Sequence, residues 1–293
     1  MTDSQPSTQV STRRLIVHAV LKSDVGKVRS ENQDFGTLTT SHEEASSHAG
    51  GRLLIVADGM GGHRGGATAS RIAADTVKSE YLTSETGDPA IALHEALAMA
   101  NAKIFAESQT NPELRGMGTT TSALVVRGNQ GWFAHVGDSR IYMIRGDKIQ
   151  QLTDDHSLVA TMVREGLLTV QEAETHPRRN VLQRSVGVGE DVEIDIRGPF
   201  EVQEGDSFIL CSDGLHGLVK EEEMVRVAKL PVEQAANEFV KLALDRGAPD
   251  NVTVIVGRVV RADSIGEDTL TDNTEREMFD ETVKEPSSVR ASQ

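Results

Sequence analysis

Cysteine is nearly absent from this chain. Cys211 is the only one in 293 residues, so no internal disulfide can form and a reducing compartment is expected. Aromatic residues are scarce too, at 3%, which leaves Val, Ile, Leu, Ala and Met to build the core. There is no long apolar run. The longest reach five residues, as at 53–57, far short of the roughly 20 residues of a membrane-spanning helix. Residues 1–14 are polar and lack the apolar stretch of a secretory signal. These absences together predict a cytoplasmic protein with no membrane span. Positive charge is also in short supply: 30 Lys and Arg stand against 45 Asp and Glu, for a net charge of −15. Binding a phosphate backbone needs clustered cations, and no such stripe is found, so nucleic acid is not an expected partner.

What is present reads as one body between two polar ends. Residues 1–14, rich in Ser, Thr and Gln, read as a disordered arm. Residues 263–293 carry nine acidic against three basic side chains and read as an acidic, solvated tail. The body, 15–262, alternates β-branched apolar runs with helical stripes. Strands are expected over 15–21, 53–57, 119–126, 132–136, 141–144, 192–196, 208–211 and 252–260. Apolar spacing near 3.6 predicts helices over 67–81, 91–105 and 231–244, the last with Pro231 at its first turn and Gly247 beyond its end. Gly146-Asp147 marks a hairpin between 141–145 and 148–152. Two helices in succession and then several strands in succession argue against a doubly wound parallel sheet. They favour an α+β layered architecture of antiparallel sheets with helices outside.

Aspartates recur at strand ends. Asp58 follows Leu53–Ala57 directly, Asp213 follows a run ending at Ser212, and Asp138 follows Gly137. Asp250 precedes the strand at 252–260, and Asp34 closes the run 29–34. One Asp-Gly after a strand is usually only a turn. Several in one chain point to carboxylates converging on one sheet edge, because an aspartate beside an apolar strand is costly unless it is paired or metal-bound. An oxygen-rich set of this kind suits Mg²⁺ or Mn²⁺. Cys211, within Leu-Cys-Ser-Asp, reads as a packing residue rather than a nucleophile.

Eight segments in order extend the pattern: GKVRSENQD (26–34), VADGMGGH (56–63), GMGTT (116–120), AHVGDSR (134–140), LTDDHS (152–157), VLQRSVG (181–187), LCSDG (210–214) and DNVT (250–253). On these residues the chain resembles the metal-dependent protein phosphatase 2C family, in its bacterial serine/threonine branch, over about residues 15–260. The resemblance implies a four-layer α/β/β/α sandwich, two central antiparallel sheets flanked by helix pairs. It also implies two core Mn²⁺ or Mg²⁺ ions, often joined by a weaker third. Asp58 would bridge the core ions and the Gly59 carbonyl would hold one of them. Asp213 and Asp250 would ligate a core ion, and Asp34 would support the other through water. Asp138, with Asp213, matches the position that holds the third ion. Arg29 would clamp the substrate phosphate.

The implied reaction is hydrolysis of phosphoserine and phosphothreonine by a hydroxide bridging the two ions, without a protein nucleophile. Phosphorylated proteins, including a serine/threonine kinase and its substrates, are the implied partners. Two positions depart from the eukaryotic pattern: Gln33 stands where an acid is common, and Met60 replaces a histidine assigned as general acid. His63 and metal-bound water are then both candidate proton donors. Residues 156–180 match the mobile flap beside the active site, where Arg178 and Arg179 read either as a solvated pair or as a contact for an acidic phosphopeptide. Two other readings stand beside this one. The first is a pseudophosphatase that binds phosphoproteins without turnover. The second is a phosphatase for an anti-sigma-antagonist type of phosphoprotein.

Overall fold

The computed structural model describes residues 14–61 and 65–264. The expected arm (except Arg14), His63 and the acidic tail beyond residue 264 lie outside the described residues. Period-two alternation along the strands decides the layering. On β3 (Arg52–Met60), Leu53 and Ile55 face one way and Leu54 and Val56 the other. Both faces are apolar, so the strand is covered on both sides. β3 belongs to a six-stranded antiparallel sheet with β2 (Asp34–Leu38), β5 (Thr121–Arg127), β6 (Gln130–Val136) and β9 (Asp195–Glu201). A short β4 (Gly118–Thr119) pairs with the end of β3.

The second sheet holds five antiparallel strands in the order β1 (Leu15–Asp24), β11 (Val252–Arg261), β10 (Ser207–Cys211), β7 (Arg140–Arg145) and β8 (Lys148–Gln151). Between the sheets lie Leu54, Val56, Leu124, Phe208, Leu210 and Ile255. Outside the first sheet pack α2 (Gly65–Thr83) and α3 (Pro89–Thr110), whose stripe of Leu93, Leu97, Ala100 and Ile104 is fully buried. Outside the second pack α6 (Asp213–His216), α7 (Glu221–Val227) and α8 (Val232–Asp245), with Leu215, Met224 and Phe239 against Ile209, Val254 and Val256. The four-layer α+β sandwich is therefore realised, with separate apolar cores in its three interlayer spaces. Smaller helices α1 (Ser41–Ser46), α4 (Leu158–Arg164) and α5 (Val170–Thr175) sit in loops. Among the described residues no helix is long and apolar enough to cross a membrane.

Several boundaries differ from the sequence expectation. The run expected as one strand over 119–126 divides into β4 and β5. The strand expected at 192–196 forms instead at Asp195–Glu201, on the sheet edge, where only one neighbour must be satisfied and Pro199 is tolerated. The hairpin at Gly146-Asp147 forms as expected, with Arg145 opposite Lys148 and Gly146 at φ +61°.

Candidate metal centre

Register brings the aspartates to one end of the sandwich. Asp34 on β2 lies opposite Asp58 on β3. In the other sheet Cys211 pairs with Val254 and Asp24 with Val252. Asp213, two residues past β10, and Asp250, two residues before β11, therefore emerge at the same edge. Asp138 occupies the turn between β6 and β7. Asp58, Asp138, Asp213 and Asp250 line a cleft of about 420 Å³ together with Arg29, Gly59, Met60, Asn180 and Leu182. Asp34 is buried just beneath them.

Uncharged neighbours hold these groups in place. The Asp58 N–H donates to Thr120 Oγ1 (2.9 Å). Its C=O accepts from the Thr120 N–H (2.8 Å) and the Thr119 hydroxyl (2.9 Å). Asp34 Oδ2 accepts from the Ser212 hydroxyl at 2.7 Å, and Ser212 Oγ in turn accepts from the Thr253 N–H. Asn251 pins the loop that carries Arg29: its amide donates to the carbonyls of Val25 and Glu31, and its Oδ1 accepts from the Gln33 N–H. The Arg29 guanidinium donates to Asp250 Oδ2 at 2.7 Å.

Crowding of like charges away from water dominates the electrostatics. Burial raises Asp34 to about 7, helped by Asp213 and Asp250 and opposed by the Ser212 and Thr253 hydroxyls. Burial, then the charges of Asp34, Asp213 and Asp138, raises Asp58 well above the usual carboxylate range. Burial and Asp213 raise Asp138 to about 7, and burial and Asp250 raise Asp213 to about 6. Four carboxyls displaced in this direction form a cluster that resists ionisation unless positive charge is supplied.

Among the described residues no three acidic, imidazole or thiol side chains are arranged to hold an ion as they stand, since Asp250 turns to Arg29 and Asp34 to Ser212. The donor chemistry nevertheless fits a hard divalent cation. Every candidate donor is a carboxylate or carbonyl oxygen, and buried Asp34 Oδ1 has no hydrogen-bond partner. A Cβ on Gly59 would meet the Gly66 carbonyl oxygen at 2.1 Å, so only glycine lets β3 pass this close to the start of α2.

Of the residues singled out from sequence, Arg29, Asp34, Asp58, Gly59, Asp138, Asp213 and Asp250 gather here. Cys211 is buried in β10, where burial pushes its thiol up to about 12. Arg178 and Arg179 are exposed. The sequence reading gave no role to Thr119, Thr120, Ser212, Asn251 or His156. All five lie in the matched segments, but none carries a charge to mark it.

A sequence model of the protein phosphatase 2C family matches residues 29–247. The serine/threonine protein phosphatase PstP of Mycobacterium tuberculosis is 38% identical over 250 residues, which is 85% of this chain and 46% of the relative. The chain thus spans about half the length of that protein. The serine/threonine phosphatase stp of Listeria innocua is 36% identical over 247 residues, 82% of this chain and 95% of the relative. Among solved structures, the PstP catalytic domain in complex with two manganese ions superposes with a TM-score of 0.72 at 35% identity, covering 84% of this chain and 99% of the other.

Proposed function

Because the chain belongs to the protein phosphatase 2C family, we propose that it is a metal-dependent protein phosphatase, removing phosphate from phosphoserine and phosphothreonine and reversing a serine/threonine kinase. The observation that carries the reading is the cluster of Asp34, Asp58, Asp138 and Asp213, raised together by burial and mutual repulsion at the floor of a cleft that Arg29 borders. Asp58, the Gly59 carbonyl, Asp213 and Asp250 would hold two Mn²⁺ or Mg²⁺ ions. Asp34 would act through water, and Asp138 with Asp213 would hold a weaker third. The two manganese ions of the PstP catalytic domain support that number. When bound, such ions supply Lewis acidity that acidifies water and offsets phosphate charge.

The chain's own residues then do the rest. Arg29 presents paired N–H donors suited to two phosphate oxygens. Its guanidinium also pairs with Asp250 Oδ2 at 2.7 Å, which keeps it at the rim of the cleft. Asn251 fixes the loop on which Arg29 is carried. Cys211 takes no part, since its thiol is buried and protonated. His63 is a candidate to protonate the leaving alkoxide, a poor leaving group that needs a proton.

The test is hydrolysis of p-nitrophenyl phosphate and of phosphoserine and phosphothreonine peptides with Mn²⁺. Wild type should turn over both kinds of substrate, and Asp58→Asn should lose about 10³-fold or more in kcat at unchanged fold. Inactivity of wild type across divalent metals, with Asp58→Asn indistinguishable from it, overturns the reading. Tight phosphopeptide binding without turnover would favour the non-catalytic alternative.

A further inference from the structure

The turn Gly137-Asp138-Ser139 is held more tightly than a surface turn requires. Ser139 O accepts from the Ser122 hydroxyl (3.0 Å), and Ser139 Oγ shares a hydrogen bond with Thr120 Oγ1 (2.6 Å). Asp138 O accepts from His216 Nε2–H (3.0 Å). Gly137 is bound twice by one residue: its C=O accepts from the His156 N–H (2.7 Å), and its N–H donates to His156 Nδ1 (3.1 Å). A backbone N–H can only donate, so Nδ1 carries the lone pair. The ring proton therefore sits on Nε2, facing Asp195 Oδ2 at 3.2 Å. Arg184 occupies the other Asp195 oxygen at 2.9 Å.

His156 differs from the other anchors in where it leads. Its C=O accepts from the Gln183 N–H (2.8 Å), Leu158 N–H donates to Val181 O (2.8 Å), and Ser157 forms a bridge with Leu182. Leu182 and Asn180 are cleft-lining residues. The buried imidazole, whose ring lies tilted by 39° against that of His135 at 4.8 Å, thus joins the turn bearing Asp138 to the closing end of the segment 157–182 that walls the cleft. We propose that His156 is a positioning residue, holding Asp138 where it can take a cation and coupling that aspartate to the cleft wall. The proposal rests on the metal-dependent reading above. It adds a group that touches neither substrate nor metal and works through Gly137.

The two ring nitrogens allow their roles to be separated. His156→Asn keeps an acceptor near the Nδ1 position for Gly137 and gives up Asp195. His156→Gln keeps a donor near the Nε2 position and gives up the acceptor for the Gly137 N–H, leaving only the backbone bond to the Gly137 C=O. Calorimetric Mn²⁺ titration of both variants, with Asp138→Ala as reference, reads binding without any turnover. His156→Gln should weaken the site that Asp138→Ala removes by about 10-fold or more, while the tighter sites stay unchanged and His156→Asn stays within about 3-fold of wild type. Wild-type binding by His156→Gln at every site, or no site lost in Asp138→Ala, overturns the proposal. Should the variants not fold, ¹⁵N shifts of wild-type His156 with Mg²⁺ decide: protonated Nδ1 overturns it, and protonated Nε2 supports it. An inactive wild type with the expected Mn²⁺ pattern would instead remove the phosphatase reading and leave this one standing.

Discussion

Asn251 illustrates how much of the site depends on side chains that carry no charge. Its amide satisfies two carbonyls and one N–H in the 25–33 loop, so its removal leaves three backbone groups to find other partners. Asn251→Ala should lower unfolding free energy by about 2–3 kcal/mol and weaken competitive inhibition by inorganic phosphate, because the loop no longer presents Arg29. Arg29→Ala should weaken phosphate to a similar degree and leave the urea midpoint nearly unchanged, since that side chain is half exposed and its ion pair with Asp250 is worth little. Equal stability losses in the two variants would refute this division of labour. The charged members of the site were legible in the sequence because a carboxylate beside an apolar strand is conspicuous. Asn251, Ser212, Thr120 and His156 were not, since their contribution is hydrogen bonding across 19 to 218 residues of chain, a relation that only the fold creates.

At the level of elements, the joint between β3 and α2 is a demanding contact. A side chain at Gly59 would strike the backbone of Gly66 and, at 2.6 Å, the Gln33 carbonyl oxygen, and neither can move without shifting a whole element. Gly59→Ala should cost about 3 kcal/mol by urea unfolding and abolish Mn²⁺ stabilisation. Gly87→Ala, where the added methyl meets nothing within 4 Å, should stay within about 0.5 kcal/mol of wild type. Similar losses at both positions would show that packing at the joint is not the cause. Long periodic elements such as α3 and the strands around Leu54 and Ile255 were readable from pattern. Two short ones were not: β2 is five residues with a central glycine and α6 is four residues, and neither has the apolar run or turn signal that marked β10 and β8. β9 escaped because an edge strand need not be apolar on both faces.

Across the whole molecule, proton binding would oppose the proposed metal binding. Asp34 and Asp138, raised to about 7, and Asp213, raised to about 6, keep protons in the folded chain that the unfolded chain has released above roughly pH 4. Their contribution to stability is present below that pH and is lost as pH rises through 6 and 7. His135 and His216, pushed by burial down to about 4 and about 3, act in the reverse sense: they cost stability in acid and cease to do so above roughly pH 6.5. The histidine contribution is common to metal-free and metal-loaded protein and cancels in their difference. The gain in Tm on adding saturating Mn²⁺ should therefore be small near about pH 5 and grow toward about pH 8, as cations replace protons on the same oxygens. A gain independent of pH, measured by scanning calorimetry, would count against the aspartates as the binding groups.

The pairing of β1 with β11 has a consequence for how this body can be built into other chains. Leu15 lies opposite Arg261, and the Ala262 N–H donates to Arg14 O at 2.9 Å, so both ends of the described sandwich leave side by side. They leave at the end opposite the cleft, because β11 runs away from Asp250. The Gly146-Asp147 hairpin tip projects at that same far end, with Ile144 and Arg258 both opposite Ser207. A few linking residues could join position 14 to 262 and the chain could be reopened at 146, giving a circular permutant whose new termini stand clear of the cleft. For the same reason the body can be inserted into a loop of a host protein as a plug-in module, with its cleft facing outward.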